Sequence, residues 1–297
     1  WRGEKISQFV IGAAQLGMDY GIANISGKPS INRVNQMLDR ALAEGINTID
    51  TAQAYGESEI LIGQWIKKNK IKTKLNIFSK WDADIDKNDH SEIEKAVKMS
   101  KKTLGVNLTG MMFHDELWLN NWTDLSPLMK ELKGQFFKYL GSSVYSLEAA
   151  RKALEIPEID FIQIPANLFD GRLNQSGILD DFRCMNKLVF IRSIFLQGLL
   201  VMNKDIATQK VPASESLINN LDAFCYEYQL SKENLAVQYG KSLNCPLVIG
   251  VEKESQIKKN IEYLNNKKLS KDLLEKIEQK FQSNINELII NPSKWKL

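Results

Sequence analysis

Ile46-Asn47-Thr48-Ile49-Asp50-Thr51-Ala52-Gln53-Ala54-Tyr55-Gly56 is a short apolar run that stops on an acid and continues into a small-residue loop carrying a phenol. Its length and branched residues suit a buried strand rather than a helix. Two later runs stop in the same manner. Leu75-Asn76-Ile77-Phe78-Ser79-Lys80 ends on an amine, and Thr109-Gly110-Met111-Met112-Phe113-His114 ends on an imidazole. Asp50, Tyr55, Lys80 and His114 therefore stand at or just beyond three consecutive strand ends, the place where α/β barrels put their chemistry.

Working outward, the alternation of short apolar runs and helical periodicities continues along the chain. Phe9-Val10-Ile11-Gly12 is the first run. Ser30 is expected to cap a helix with Ile31, Val34, Leu38 and Ala41 or Leu42 on its apolar face, ended by Gly45. A helix over about 58–68 follows, and Ser91-Glu92-Ile93-Glu94 reads as a capping box opening another, closed by Gly105. In the second half, strands are expected over 138–140, 161–165, 188–192 and 246–249, and helices over about 123–133, 147–155, 177–185, 232–243 and 256–265. Eight strands, each followed by a helical segment, give a (β/α)8 TIM barrel in the α/β class. With no Gly/Ser linker or composition break, residues 1–297 read as a single domain with extra helices late in the chain, in 203–230 and after Ser270. The competing architecture is an open doubly wound sheet, which carries a Gly-rich dinucleotide fingerprint after its first strand. Gly12-Ala13-Ala14-Gln15-Leu16-Gly17 lacks that spacing, and no helix is expected to start there.

Composition narrows the function. The 297 residues are 43% hydrophobic and 25% charged, with a net charge of +3. That charge is too small to suggest a nucleic-acid partner, and Lys67-Lys68-Asn69-Lys70 reads as a solvated helix end. No run reaches membrane-spanning length. No secretion signal is visible, although the chain starts at Trp1 without a Met. Cys184, Cys225 and Cys245 fit no metal motif and are expected as reduced thiols in the cytoplasm. His90 and His114 are the two histidines, and no ligand cluster surrounds them, so no metal is expected.

The four strand-end groups suit one kind of chemistry. A phenol has a reference pKa of about 10; a buried lysine beside it favours the phenolate and eases release of the proton. An aspartate paired with the lysine keeps the amine charged and in place. A neutral imidazole can orient a carbonyl oxygen or relay a proton. Together they fit a carbonyl on which negative charge develops as hydride arrives. No side chain supplies hydride, so a cofactor must.

Asn47-Thr48-Ile49-Asp50-Thr51-Ala52-Gln53-Ala54-Tyr55-Gly56-Glu57-Ser58-Glu59, with Phe78-Ser79-Lys80 and Phe113-His114, resembles the aldo-keto reductase family, and the likeness runs along nearly the whole chain. The resemblance implies an NAD(P)H-dependent carbonyl reductase on a (β/α)8 barrel, with NADPH the usual cofactor and NADH the less common one. It makes Tyr55 the general acid, Asp50 and Lys80 its tuning pair, and His114 the group that orients substrate. Gly141-Ser142-Ser143-Val144 is similar to the family's Gly-x-Ser-Asn turn: Ser143 is kept as a carboxamide ligand, while Val144 replaces the Asn. Gln163 matches the second carboxamide ligand. Arg192 stands where the family has an aromatic stacked on the nicotinamide; pairing with an acid at the barrel rim is its other reading. Ser193-Ile194-Phe195-Leu196-Gln197-Gly198 resembles the loop over the pyrophosphate, so Ser193, Phe195, Gln197 and Gly198 are implied there. Gly250, Gln256 and Asn260 match the adenosine end, with Gln256 where the family commonly has an Arg for the 2′-phosphate; Lys253 or Lys258 could compensate.

Substrate is expected in the loops above the strand ends. Gln15 and Tyr20 after the first strand, Trp81 beside Lys80 and Trp118 after His114 are the candidates, and Gln15, Asp19 and Asn24 hint at a sugar or nucleotide-sugar carbonyl. Two alternatives stay open: a catalytically weak, cofactor-binding regulatory subunit, and a Schiff-base aldolase using Lys80. The sequence leaves the oligomeric state open.

Overall fold

The protein was analysed as a computed structural model, which describes residues 1–71 and 75–295. Eight parallel strands close into a barrel in sequence order: β1 (Phe9–Gly12), β2 (Thr48–Asp50), β3 (Asn76–Lys80), β4 (Leu108–Phe113), β5 (Phe137–Ser143), β6 (Ile159–Pro165), β7 (Leu188–Arg192) and β8 (Leu247–Gly250). Closure is made by β8 pairing back onto β1, with Phe9 opposite Leu247 and Gly12 opposite Gly250. The open doubly wound sheet is thereby excluded.

Helices flank the barrel because their apolar faces are spaced for it. Ile31–Ala43 buries Val34, Met37, Leu38 and Ala41, and the Ser30 side chain accepts from Arg33 N. Helices Ser58–Asn69, His90–Leu104, Trp122–Leu132, Leu147–Glu155, Ile178–Cys184, Lys232–Ser242 and Glu254–Asn265 fall close to their expected spans. Lys204–Lys210 and Glu215–Glu227 fill the long connection after β7, and Lys271–Ile277 and Glu287–Ile290 lie in the tail. Two details differ from expectation. Asp89, not Ser91, caps the helix His90–Leu104, accepting from Glu92 N at 2.9 Å; an Asp two residues earlier starts the helix sooner and satisfies an orphan donor of its first turn. A one-turn helix, Ala14–Gly17, does form after β1.

The barrel interior explains where the site lies. Val10, Phe78, Met112, Tyr139, Phe161, Phe190 and Val248 form a core separate from the one between strands and helices. Phe78, Phe161 and Phe190 meet at centroid distances of 4.8–5.8 Å. Room for these rings comes from Gly110 and Gly141: a Cβ on either would sit 2.4 Å from Phe78 or Phe161 respectively. Side chains on a strand alternate faces. The next inward position toward the C-terminal rim is therefore two residues on: Gly12, Lys80, His114, Gln163, Arg192 and Gly250. One ring of positions above an apolar floor supplies most of the candidate site.

At the opposite end Trp1 packs on Tyr139 at 4.4 Å, and Asp160 pairs with Arg2 and with Lys133 at 2.6 Å while accepting from Leu140 N.

Candidate active site

Asp50, Tyr55, Lys80 and His114 come together at the rim. Lys80, 1% exposed, donates from Nζ to Asp50 Oδ1 at 2.6 Å and to Thr51 O at 3.0 Å. Gln163 Nε2 donates to the same Asp50 oxygen at 2.8 Å. Lys80 Nζ lies 4.9 Å from the Tyr55 ring centroid, and the His114 ring meets that ring edge-on at 5.7 Å. The Tyr55 loop is fixed from behind: Gln53 bonds Ala96 O and Ser100 Oγ and accepts from Asp82 N. Glu59 is buried between Ser79 Oγ (2.6 Å) and Ser100 Oγ (3.1 Å), and burial raises its carboxyl above the usual range. Gln53 and Glu59 were not singled out from the sequence; the only signal was their place inside the tetrad segment.

One electrostatic feature differs from expectation: the resting phenol is held above its ordinary value, not below it. Burial, and next the Asp50 carboxylate, push Tyr55 up from its ordinary value, with Arg192 opposing. The Lys80 ammonium hydrogen-bonds Asp50 and Thr51 O, and among the described residues no hydrogen bond joins it to the Tyr55 hydroxyl. Burial lowers Lys80 itself, against the pull of Asp50. His114 is pushed down to about 3 by burial, then by the Lys80 and Arg192 charges. Its Nδ1 is buried without a partner. At neutral pH the site presents a protonated phenol beside a neutral imidazole.

The residues implied for a dinucleotide lie along the neighbouring rim. Ser143 and Gln163 are paired in the β5–β6 register. Both are buried, at 2% and 1% exposure, and among the described residues the Ser143 hydroxyl and Gln163 Oε1 have no protein partner. A primary carboxamide brings the one donor and one acceptor such a pair can use. Gly141 to Ser143 extend β5 rather than forming a separate turn, and Val144 follows with its side chain fully buried. Arg192 ends β7 and reaches Val144 O and Ser193 Oγ at 3.5 and 3.4 Å, with its guanidinium 4.1 Å from the Tyr145 ring centroid. Its other reading, an acid partner at the rim, does not hold among the described residues.

Ser193 (φ 62°), Leu196 (φ 49°) and Gln197 (φ 53°) are left-handed, a conformation that costs a non-glycine residue roughly 1 kcal/mol or more and concentrates at functional loops. Phe195 lies partly buried between them, and Gly198 (φ 96°) touches Ala23, where a Cβ would come within 2.2 Å of the Ala23 methyl. At β8, Gly250 leaves space for the Gln15 amide, which a Cβ would meet at 2.2 Å. Gln256 Oε1 accepts from Glu252 N at 2.7 Å and Lys253 N at 3.1 Å, so it caps its own helix. Asn260 is buried one turn on.

Of the substrate candidates, Tyr20 stays at the rim, partly buried beside Gln197 and Tyr55. Gln15 packs against Gly250. Trp81 and Trp118 are corrected: both are 0% exposed and stack on each other outside the lumen, Trp118 also on Phe113, while Trp81 meets Phe137 edge-on and donates from Nε1 to Ile93 O. Trp81 follows inward-pointing Lys80 by one residue and so points the other way. A hollow lined by Cys225, Tyr226, Glu227, Gln229 and Leu230, and another at the foot of the barrel around Leu108 and Phe137, contain none of these groups.

Among the described residues no helix is long and apolar enough to cross a membrane, and the three cysteines are free thiols. A glycerol dehydrogenase from Gluconobacter oxydans has a similar structure, with a TM-score of 0.70 at 21% identity over 95% of this chain and 94% of that one. An aldo-keto reductase from Bombyx mori, solved in complex with NADP, matches with a TM-score of 0.68 at 19% identity over 94% and 90%. At these identities the likeness shows the fold. Among curated proteins, an aldo-keto reductase from Gibberella moniliformis is 26% identical over 58% of this chain and 54% of its own length. One from Strobilurus tenacellus is 27% identical over 64% and 57%. The chain thus spans little more than half the length of the curated relatives it matches. Residues 8–282 match the family described as the aldo/keto reductase family, and the chain belongs to it.

Proposed function

We propose that the protein is an NAD(P)H-dependent carbonyl reductase, in which the dinucleotide supplies hydride to the carbonyl carbon and Tyr55 supplies the proton to its oxygen. The observation that supports this reading is the clustering of the Tyr55 ring with the neutral His114 ring and the buried Lys80–Asp50 pair, with a Ser143–Gln163 pair that suits a carboxamide on the neighbouring strands. Tyr55 keeps its proton at rest because burial disfavours the phenolate. The base that takes it is the alkoxide forming as the carbonyl is reduced. Lys80 then faces the new phenolate ring, and its charge offsets the one left behind. His114, uncharged, is free to orient the carbonyl oxygen without protonating it prematurely.

The 193–198 loop is the proposed cover of the pyrophosphate, with Ser193, Phe195, Gln197 and Gly198 forming it, and Gly250, Gln256 and Asn260 bound the adenosine end. Gln256 carries no charge for a 2′-phosphate and is occupied with its helix cap, while Glu252 stands beside it. NADPH and NADH are therefore proposed to bind with weak discrimination. A hydroxylated carbonyl such as a sugar is the proposed substrate class, reached through Tyr20 and the loop carrying Asp19 and Asn24. The free thiols suit a reducing, cytoplasmic setting.

The aldolase alternative is disfavoured by Lys80, whose amine is fully buried and bonded to Asp50 and Thr51 O. The deciding experiment is NADPH consumption against a panel of aldehydes and keto sugars, for the native protein and Tyr55→Phe. We expect turnover by the native protein and a loss of at least 100-fold in the variant, with dinucleotide affinity by calorimetry unchanged. Turnover that survives in Tyr55→Phe sinks the proton assignment.

A further inference from the structure

Among the described residues, Arg192 is a cation at the candidate rim without an acid to answer it. It follows Phe190 by two residues on β7 and so stands above the apolar floor of the lumen. Among the described residues no carboxylate forms an ion pair with it, although a partly buried arginine ordinarily has one. Its protein hydrogen bonds, to Ser193 Oγ and Val144 O, are both long at 3.4 and 3.5 Å. Most of its five N–H donors are therefore unspent. The Tyr145 ring, 4.1 Å away, backs one flat face of the guanidinium and holds it in place. What remains is the donor edge, the part of an arginine that grips planar oxyanions in pairs of hydrogen bonds.

The surroundings leave that charge uncompensated. Lys80 and Asp50 cancel each other, and Tyr20, Tyr55 and His114 are uncharged at neutral pH. The Arg192 charge is felt by each of Tyr20, Tyr55, Lys80 and His114, and Arg192 ends β7 beside the Gln163 strand at the same rim.

We infer that Arg192 anchors an oxyanion, a carboxylate or phosphate, carried by the carbonyl substrate itself, with Tyr145 as its backing. The inference rests on the carbonyl-reductase reading and narrows it: the preferred substrates are acidic aldehydes or ketones, such as oxo acids or phosphorylated sugars.

The test pairs acids with their methyl esters, which differ in charge but little in size: glyoxylate, succinate semialdehyde and 4-formylbenzoate. Binding to the native protein, Arg192→Gln and Arg192→Lys is measured by calorimetry, with and without NADP+, and reduction by NADPH consumption. The expected result is at least tenfold tighter binding of one or more acids than of the matching ester. That ratio should fall to near one in Arg192→Gln and recover in part in Arg192→Lys. Equal binding of every acid and its ester by the native protein, or a preference that survives in Arg192→Gln, overturns the inference. So does a variant that loses NADPH affinity and handles acid and ester alike, since the anion would then be the dinucleotide's. NADPH consumption without acid preference overturns the anion site alone. Acid preference that depends on Arg192, with no NADPH consumption, supports the anion site and sinks the reductase reading.

Discussion

Tyr55 and His114 are both uncharged for the same reason. Burial raises the phenol and lowers the imidazole to about 3, so neither changes state near neutrality. Carbonyl reduction should therefore show no limb from His114 between pH 5 and 8, which a pH–rate profile checks directly. Stability should feel the same burial. In the unfolded chain a histidine titrates near its reference pKa of about 6.5. Below that pH the unfolded state binds a proton that the folded state refuses, so stability falls as pH drops from about 6.5 toward 3. His114→Gln should flatten that acid slope, as read from urea midpoints at pH 7 and pH 4.5. Gln256 offers a second residue-scale prediction. Gln256→Arg should favour NADPH over NADH by roughly tenfold through a charge-assisted hydrogen bond, and should cost about 1 kcal/mol of stability because the cap on Glu252 N and Lys253 N is lost. A nucleotide affinity ratio and a melting curve report the two effects separately. Sequence reading located all four tetrad residues, because strand ends are visible as interrupted apolar runs. It also paired Lys80 with Asp50, but it missed that burial holds the phenol above its ordinary value, because desolvation is a property of the folded neighbourhood.

Strands owe their use here to alternation. The lumen rings of Phe78, Phe161 and Phe190 fix the height at which Lys80, Gln163 and Arg192 emerge, two residues later on each strand. Gly141 makes this possible on β5, where a methyl group would stand 2.4 Å from the Phe161 ring. Gly141→Ala should destabilise the barrel by about 1–3 kcal/mol through overpacking, and should weaken dinucleotide binding because Ser143 and Gln163 sit on the two strands that must part. Denaturation and calorimetric titration on the same variant test both halves. Element reading was good where periodicity was strong, as in Leu147–Glu155. It clipped β5 and β6, since Gly141 and the buried Asp160 do not look like strand residues until their ring and ion-pair partners are known. It also assigned Trp81 and Trp118 to the substrate by proximity in sequence, without the alternation that turns Trp81 away from Lys80.

Across the molecule, the two ends of the barrel carry different burdens. The C-terminal rim holds the candidate site, while the opposite end holds Trp1 against Tyr139 and surrounds Asp160 with Arg2, Lys133 and Leu140 N. Asp160→Ala would leave the buried Leu140 N without its acceptor and two partly exposed cations unpaired. It should lower stability by about 1–3 kcal/mol while leaving nucleotide affinity unchanged, as chemical denaturation and titration would show. The closed eightfold alternation was legible in full from the order of runs. The arginine left without a counterion among the described residues was not, because the lack of a partner is a property of the folded neighbourhood. The stacked indoles of Trp81 and Trp118 add a practical dividend. Sealed from water against Phe113, the residue before His114, they form a dry optical antenna beside the catalytic rim. Their emission should be blue-shifted and should drain by resonance transfer into a reduced nicotinamide, so docking of the hydride carrier would announce itself as light, with no label attached.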